Sequence, residues 1–255
     1  MKFDLTDTTF LVPLRVDSMV RLENTMMCVR CLLQNFNTNI TVLQADCYDN
    51  GIVAKLLGKN IKYWFVEDYD PVFYRTKYLN MMTNEAATPY IGIWDADVIV
   101  PHEQIMDAVG KLREGYEIAY PYDGHFYDTT DMVRQLYWET ENISVLKKND
   151  NKMQLTYGTG SVGGAILVNR NKYMEAGMED EAFYGWGPED GERMVRWRMF
   201  GYQIYRTEGN LYHLSHRRGM NSKHRSMDHY WDSNNKFHLI TLSAKEDLKK
   251  NEFNL

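Results

Sequence analysis

Two aspartates, Asp95 and Asp97, stand one residue apart where an apolar run ends, in the segment 91–101 that reads IGIWDADVIVP. Mg²⁺ and Mn²⁺ prefer oxygen ligands and keep open coordination positions for phosphate oxygens. Carboxylates at the end of a strand can supply such ligands. A polar turn after a core strand explains the same residues, so this pair alone leaves both interpretations open.

A second group lies in the segment 183–190, FYGWGPED. Pro188 suits the first position of a helix, and Glu189 and Asp190 then fall in its first turn, where the helix dipole favours anions. That explanation is sufficient by itself. A functional one is equally open, because the indole face of Trp186 suits the apolar face of a sugar ring and would lie beside two carboxylates.

The third group is a histidine pair, His213 and His216. Residues three apart can meet on one face of a turn or helix, and neutral imidazole binds Mn²⁺ alongside carboxylate. Pairs of surface histidines are commoner than ligand pairs. A local basic cluster that suits a diphosphate follows in this acidic chain; its members are Arg217, Arg218, Lys223, His224 and Arg225.

The elements that must position these groups alternate along the first hundred residues. Apolar runs predict strands over 9–14, 40–45, 61–66 and 90–94, with helical patterns over 22–36, 52–57 and 73–87. The alternation predicts an α/β fold with a mixed, mostly parallel central sheet flanked by helices. Ligands bind beyond the carboxyl ends of such strands, which points to Arg15, Asp46, Asp95 and Asp97.

The second half of the chain is less regular. It predicts strands over 117–122 and 164–168, a helix over 130–146, a mobile loop over 149–163, and a helical tail from Leu242. We expect a single domain over 1–255. Its nucleotide-binding half covers about 1–100, its donor and acceptor half about 101–220, and its C-terminal extension 221–255.

Composition narrows the class of protein. The 255 residues carry a net charge of -6, which argues against nucleic acid as the main partner, since phosphate backbones select clustered positive charge. No apolar run approaches the roughly 20 residues that cross a bilayer, and no basic start followed by an apolar stretch indicates a secretory signal. We therefore expect a cytoplasmic protein without a transmembrane segment. Any membrane contact would be peripheral, at the inner face.

Taken together, these segments resemble the glycosyltransferases with a Rossmann-like nucleotide-sugar domain. The beta-1,4-galactosyltransferase and polypeptide N-acetylgalactosaminyltransferase catalytic domains are the most similar. The segment 73–80, FYRTKYLN, leads to the Asp-Ala-Asp, Gly163-Gly164 precede an apolar strand, and 185–190 matches the W-G-W-G-G-E-D segment. The likeness covers about residues 10–220 and implies the GT-A type nucleotide-diphospho-sugar transferase fold.

The resemblance implies a metal and donor site. Asp97 and His216 would bind Mn²⁺ (or Mg²⁺), and His213 would be a third ligand where the galactosyltransferases carry a methionine. Asp95 would lie nearer the ribose or the donor sugar. The remaining nucleotide- and donor-binding residues would be Arg15, Asp46, Phe73, Arg75, Gly163, Gly164 and Trp186.

The resemblance also implies an inverting reaction. Asp190 would remove a proton from the acceptor hydroxyl, while Glu189 and Trp186 shape the acceptor side. The donor would be a UDP-sugar, with Gal or GalNAc favoured, and the acceptor a glycan or lipid-linked glycan. In the first turn of a helix, Asp190 is expected to have a lowered pKa and so to act mainly through positioning.

Departures from the family pattern bear on specificity. Ser161 stands where the galactosyltransferases carry a bulky aromatic two residues before the Gly-Gly pair, which leaves room beside C2 of the sugar. We therefore expect UDP-GalNAc to be accepted. Gly191-Glu192 replace two further acids and Tyr184 replaces a tryptophan, so the acceptor contacts should differ.

Other functions compete with this one. Asp95-Ala96-Asp97-Val98 is similar to the aspartyl-phosphatase motif, but that motif normally opens its chain and needs a later pair of acids. A nucleotidyltransferase would use the same carboxylates and leave the segment 185–190 without a role. A non-catalytic carbohydrate-binding or assembly module on the same scaffold is the alternative from another class, because a fold does not guarantee a function.

Overall fold

The computed structural model describes residues 2–219, 223, 224 and 226–252, with backbone alone from residue 245 onward. The strands are β1 Phe3–Leu14, β2 Phe36–Asp46, β3 Lys62–Glu67, β4 Tyr90–Trp94, β5 Val98–Ile99, β6 Ile118–Tyr120, β7 Phe126–Asp128, β8 Gln154–Leu155, β9 Ala165–Asn169, β10 Ile204–Arg206 and β11 Leu211–His213. The helices are α1 Met19–Asn35, α2 Ile52–Leu57, α3 Arg75–Glu85, α4 His102–Arg113, α5 Asp131–Thr140, α6 Ile143–Lys147, α7 Arg170–Glu175, α8 Glu189–Met199 and α9 Met227–Glu252.

Within the described residues a seven-stranded sheet runs in the order β10-β6-β9-β4-β1-β2-β3. Neighbouring strands are parallel, except that β9 is antiparallel to both β4 and β6. This confirms the predicted α/β class with a mixed, mostly parallel sheet. The antiparallel register sets Trp94 opposite Ala165, and just beyond it the Asp95 N–H donates to the Gly164 carbonyl at 2.8 Å.

A smaller sheet of four described strands has the order β5-β11-β7-β8. Its strand β5 follows the Asp-Ala-Asp directly and pairs antiparallel with β11, with Val98 opposite His213. Strand β11 also runs parallel to β7, which places His213 opposite Asp128. This small sheet therefore brings residues more than a hundred positions apart to one point.

The core lies between the large sheet and its helices. Phe10 of β1 meets Trp94 of β4 edge to face, with ring centroids 5.1 Å apart, and both side chains are buried. Gly92 of β4 lies directly opposite Phe10 in the sheet, so close that a Cβ atom there would lie 2.7 Å from its ring. The large aromatic side chain thus requires a glycine on the neighbouring strand.

Several predicted boundaries are wrong. The helix predicted over 130–146 is two helices, α5 and α6, because Glu141 adopts the left-handed conformation (φ 47°) that ends α5. The tail helix begins at Met227 rather than Leu242, since Phe237 packs on Gly191 of α8 and holds the earlier turns against the domain. Pro188 is the N-cap of α8, one position before the predicted one. The segment 149–163 contains a 3-10 turn at Asp150–Lys152 and strand β8.

The length and apolar character of the described helices decide whether any of them could cross a bilayer. In the part of the chain that the structure covers, no helix combines the length and the apolar character required to cross a membrane.

The contact between Gly92 and Phe10 predicts a stability change. Gly92→Ala forces a methyl group into the Phe10 ring and should lower the free energy of unfolding by about 1–3 kcal/mol. Gly110→Ala is the matched control, because that glycine lies inside α4 with open space around it, and it should raise stability by about 0.5–1 kcal/mol. Urea unfolding followed by circular dichroism measures both. A Gly92→Ala protein as stable as the wild type would contradict this packing.

Candidate active site

A cavity of about 570 Å³ opens at the carboxyl ends of β1 and β4. Its wall also includes the first turn of α8, the Gly163-Gly164 pair, and the loop after β11. The predicted site residues that line it are Arg15, Phe73, Arg75, Asp95, Asp97, Gly163, Gly164, Trp186, Glu189, Asp190, His213 and His216. The structure therefore brings almost all of the predicted residues to one place.

Asp46 is the exception. It does not line the cavity, and its carboxylate accepts hydrogen bonds from the Cys47 N–H at 3.1 Å and the Gln44 amide at 3.4 Å. Asp68, just after β3, instead pairs with Arg15, whose Nε also donates to the Ala45 carbonyl at 2.8 Å. The cavity thus gives no support to the prediction that Asp46 binds the nucleotide.

Asp97, His213 and His216 form a cluster in which one ligand atom of each lies within 4.8 Å of the others. Nε2 of His216 is 3.1 Å from Oδ2 of Asp97, and Nε2 of His213 is 3.5 Å from Oδ1. The two imidazole rings do meet, with centroids 5.3 Å apart, but a strand and a loop bring them together rather than a turn or helix. His213 ends strand β11, while His216 lies in the loop that curls back over Asp97.

Main-chain hydrogen bonds hold that loop in place. The Leu214 N–H donates to the Asp97 carbonyl at 2.8 Å, and the Ser215 N–H donates to the Thr129 hydroxyl at 2.9 Å. The buried side chain of Asn24 donates to the Leu214 carbonyl at 2.8 Å. His216 is therefore placed by contacts of its neighbours with α1 and the small sheet.

The electrostatics of the cluster favour a cation. Burial would raise the pKa of Asp97, but His213, His216 and Arg21 outweigh it and hold the pKa well below its usual range. Burial would lower the pKa of His213, but Asp97 and Asp128 raise it to about 10. Asp97 and Asp128 thus stabilise positive charge at this point, which without a metal is a proton on His213 and the guanidinium of Arg21. One carboxylate and two imidazoles, one of them oriented by an outer carboxylate, form a donor set that fits Mn²⁺.

Asp95 lies in a different environment from Asp97. Its Oδ1 accepts from Arg75 Nε at 3.0 Å and Nη2 at 2.7 Å, and Arg75 Nη1 lies 3.6 Å from Oδ1 of Asp190. Burial outweighs the attraction of Arg75 and raises the pKa of Asp95. Arg75 therefore bridges the end of β4 and the start of α8.

Asp190 is held from two sides. Arg193, itself buried, donates to its Oδ1 at 2.6 Å. Its Oδ2 lies only 2.5 Å from the point where a Cβ atom on Gly163 would be. The Gly163-Gly164 pair is thus required locally, because the first glycine gives room to the carboxylate and the second has a φ of +82°.

Glu189 behaves differently from its neighbour. Its side chain is buried, and its Oε2 has no hydrogen-bond partner within the described part of the chain. Burial, together with the charge of Asp190, raises its pKa to about 8. For this residue burial overrides the helix dipole, which would stabilise an ionised carboxyl in the first turn.

Trp186 and part of the basic cluster form the outer wall. The indole is 43% exposed, and the Arg218 guanidinium lies 5.8 Å from the centre of its ring. Arg218 and His224 line the cavity, whereas Arg217 and Lys223 do not. Arg225 lies outside the described residues. A half-exposed aromatic face beside a cation remains available to a ligand.

The sequence did not single out three residues that contact the site: Arg21, Asp128 and Arg193. Oδ1 of Asp128 lies 2.9 Å from Nδ1 of His213. The sequence does not reveal Asp128, because it ends a strand of three residues that is too short to show a periodic pattern. Arg21 lies in the first turn of α1, after a strand end, where a search for polar residues would have found it. Arg193 falls one turn after Asp190, at a spacing that allows an ion pair on a helix.

The chain is similar to known proteins in its fold, but not in a way that sequence matching detects. No protein-family model matches the sequence, and none of the curated proteins matches it either. Solved structures do resemble its fold. The catalytic domain of Drosophila beta1,4-galactosyltransferase 7, in complex with xylobiose, is 18% identical over 87% of this chain and 69% of that one, with a TM-score of 0.50.

Two further solved structures are similar. The mannosyltransferase PcManGT from Pyrobaculum calidifontis, with GDP-Man and Mn²⁺, is 14% identical over 84% of this chain and 58% of that one, with a TM-score of 0.55. Glucosyl-3-phosphoglycerate synthase from Mycobacterium tuberculosis, with Mn²⁺, UDP and phosphoglyceric acid, is 13% identical over 93% of this chain and 78% of that one, with a TM-score of 0.53. The chain therefore has the GT-A type glycosyltransferase fold, as its sequence predicts.

The contact between Asp128 and His213 predicts how a substitution of Asp128 changes the affinity for Mn²⁺. Asp128→Asn should weaken Mn²⁺ binding by about tenfold or more, because the carboxylate orients the imidazole and raises its basicity. Asp123→Asn is the matched control, since it alters a similar pair with His125 that does not line the cavity. Electron paramagnetic resonance of free Mn²⁺ measures the affinity. Equal effects of the two substitutions would contradict a role for Asp128 at the metal.

The raised pKa of Glu189 predicts a pH dependence of stability. Between about pH 4.5 and 8 the folded protein keeps a proton on Glu189 that the unfolded chain releases, so stability falls as pH rises. Glu189→Gln removes this pH-dependent contribution to stability, because the amide does not titrate. The free energy of unfolding of the wild type, relative to Glu189→Gln, should therefore decrease across this range and level off above it. Urea titrations at pH 5, 6, 7 and 8.5 test this, and a difference that does not vary with pH would contradict it.

Proposed function

We propose that this chain is a metal-dependent glycosyltransferase that moves a sugar from a UDP-sugar to a hydroxyl group of an acceptor. One observation carries the proposal: the Asp97, His213 and His216 cluster and the Asp190 carboxylate open into the same cavity of a GT-A fold. Three solved structures of similar fold contain Mn²⁺ together with UDP or a nucleotide sugar, which supports this choice.

Asp97, His213 and His216 would hold Mn²⁺ (or Mg²⁺), which when bound neutralises charge on a diphosphate leaving group. Arg15 and Phe73 lie together in the cavity wall, with the guanidinium 5.5 Å from the ring centre. They would bind the nucleotide. Asp95, which Arg75 contacts through two N–H groups, would accept hydrogen bonds from the ribose or the donor sugar.

Asp190 would act as the general base. It takes the proton of the acceptor hydroxyl as that oxygen attacks the anomeric carbon, while the bond to the diphosphate oxygen breaks and UDP leaves. A single displacement of this kind inverts the anomeric centre. Arg193 and Gly163 fix the position of the carboxylate, so proximity and orientation supply much of its effect.

Glu189 would have a separate role. With its pKa raised to about 8 by burial and by Asp190, it carries a proton near neutral pH. Glu189 lines the cavity, and a neutral carboxyl group can donate a hydrogen bond to a sugar hydroxyl. The two adjacent acids would thus have different roles. Asp190 would be the base, and Glu189 would be a hydrogen-bond donor on the acceptor side.

The finer proposal concerns the donor sugar. Ser161 lines the cavity, and its hydroxyl is 3.3 Å from that of the buried Tyr122. A small residue here leaves room for an N-acetyl group, so we propose Gal or GalNAc as the transferred sugar with GalNAc accepted. The acceptor would be a glycan or lipid-linked glycan whose ring contacts Trp186.

The domain arrangement belongs to the same proposal. Arg15 and Asp95 come from the first hundred residues, and Asp190 comes from the second half. The segment 221–255 contributes Tyr230 and Asn234 to the cavity wall. A single catalytic domain accounts for this sharing, with the C-terminal segment as part of it. We also propose action in the cytoplasm, with peripheral contact at the inner face of the membrane for a lipid-linked acceptor.

Asp190→Asn tests the catalytic assignment. The amide cannot take the proton, so hydrolysis of UDP-GalNAc or UDP-Gal should fall by a factor of about 10²–10⁴ while UDP binding with Mn²⁺ is kept. Asp180→Asn is the control, because Asp180 pairs with Lys236 and does not line the cavity. Release of UDP measures turnover and calorimetry measures binding. An Asp190→Asn enzyme with wild-type turnover would remove Asp190 from the mechanism.

Ser161→Tyr tests the donor assignment. The added ring should fill the space for the N-acetyl group and lower kcat/KM for UDP-GalNAc, relative to UDP-Gal, by about tenfold or more. Ser161→Ala should keep the wild-type preference. Competition between the two donors gives the ratio directly. A wild type that prefers UDP-Gal and a Ser161→Tyr variant with an unchanged ratio would refute the assignment.

A further inference from the structure

Arg21, in the first turn of α1, has its guanidinium at the metal-ligand cluster. Its Nη1 is 3.4 Å from Oδ2 of Asp97, and its Nη2 is 3.3 Å from both ring nitrogens of His216. Its Nε is 3.2 Å from Oδ1 of Asp17. The side chain is 14% exposed and lines the cavity. A permanently charged side chain thus lies beside two of the three candidate ligands.

This position makes Arg21 a competitor of a bound metal. Oδ2 of Asp97 also lies 3.1 Å from Nε2 of His216, so the guanidinium and a divalent cation would draw on the same two ligands. Positive charges a few ångströms apart in a buried site repel each other strongly. A metal can bind tightly only if the guanidinium moves away from Asp97 and His216.

The cavity offers the guanidinium a second partner. In the proposed function, on which this inference rests, the diphosphate of the donor lies beside the metal. A guanidinium binds phosphate oxygens through paired N–H groups and suits this partner better than an ammonium group. Asp17, whose side chain is 25% exposed at the rim, contacts Nε and would keep the side chain at the cavity during the movement.

We propose that Arg21 is a mobile counter-ion that binds Asp97 and His216 when metal is absent and the donor diphosphate when metal is present. Metal alone must displace Arg21 without offering it a new partner, whereas the diphosphate provides one. Metal and nucleotide therefore strengthen each other's binding through Arg21, and by linkage the effect is equal in both directions. When UDP leaves, Arg21 returns to the ligands and favours release of the metal.

The test compares Mn²⁺ affinity with and without saturating UDP, measured by electron paramagnetic resonance of free Mn²⁺. The proteins are the wild type, Arg21→Met, Arg21→Lys and Arg30→Met. Arg30 is the matched control, because it lies on the same helix and pairs with Glu141 away from the cavity. Circular dichroism melting curves establish that each variant is folded.

We expect Arg21→Met to bind Mn²⁺ alone about tenfold more tightly than the wild type, and the gain in Mn²⁺ affinity on adding UDP to shrink by about tenfold. Arg21→Lys should fall between them, and Arg30→Met should match the wild type. Loss of a merely structural contact would weaken Mn²⁺ binding instead. Folded Arg21→Met with unchanged or weaker Mn²⁺ binding, and an unchanged gain from UDP, would overturn the inference and leave the proposed function intact. A wild type that binds no Mn²⁺, with or without UDP, would overturn both.

Discussion

Two carboxylates one residue apart at the end of a strand, Asp97 buried and Asp95 half-buried, are costly unless each has its own positive partner. In this protein Asp95 and Asp97 point to different partners, Asp95 to Arg75 and Asp97 to the histidine pair with Arg21. The rest of the site is arranged around this division. Arg75 reaches on to Asp190, which links the donor side to the proposed base. The cluster around Asp97 gathers residues that suit a divalent cation.

The fold meets this requirement with one antiparallel strand and one small sheet. Strand β9 runs against its neighbours, so the Gly163-Gly164 turn arrives beside the end of β4 rather than at the opposite edge. The small sheet pairs β5 with β11 and β11 with β7, which delivers His213 and Asp128 to Asp97. A sheet of parallel strands alone brings together only the residues that follow those strands. The added elements supply the candidate ligands from late in the chain.

Much of this site could be predicted because its local patterns are strong. The run before Asp95, the segment 185–190 and the glycine pair each combine a type of residue with a position in an element. The features that the sequence could not predict depend on contacts between residues that are far apart along the chain. The end of β2 points to Asp46, yet Asp68 is the acid that pairs with Arg15. The partners of His213 and the direction of His216 depend on pairing between strands of two or three residues, which are too short to leave a periodic pattern. The start of α9 depends on packing against α8.

The central claim is that the cavity binds a nucleotide through a metal held by Asp97 and its two histidines. Calorimetric titration of UDP into the wild type and into Asp97→Ala, each with and without Mn²⁺, tests it most directly. The account predicts that UDP binds the wild type tightly only with Mn²⁺, and that Asp97→Ala, while folded, loses this metal dependence. Binding of UDP to the wild type with the same affinity in the presence and absence of Mn²⁺, or no binding under any condition, would contradict it.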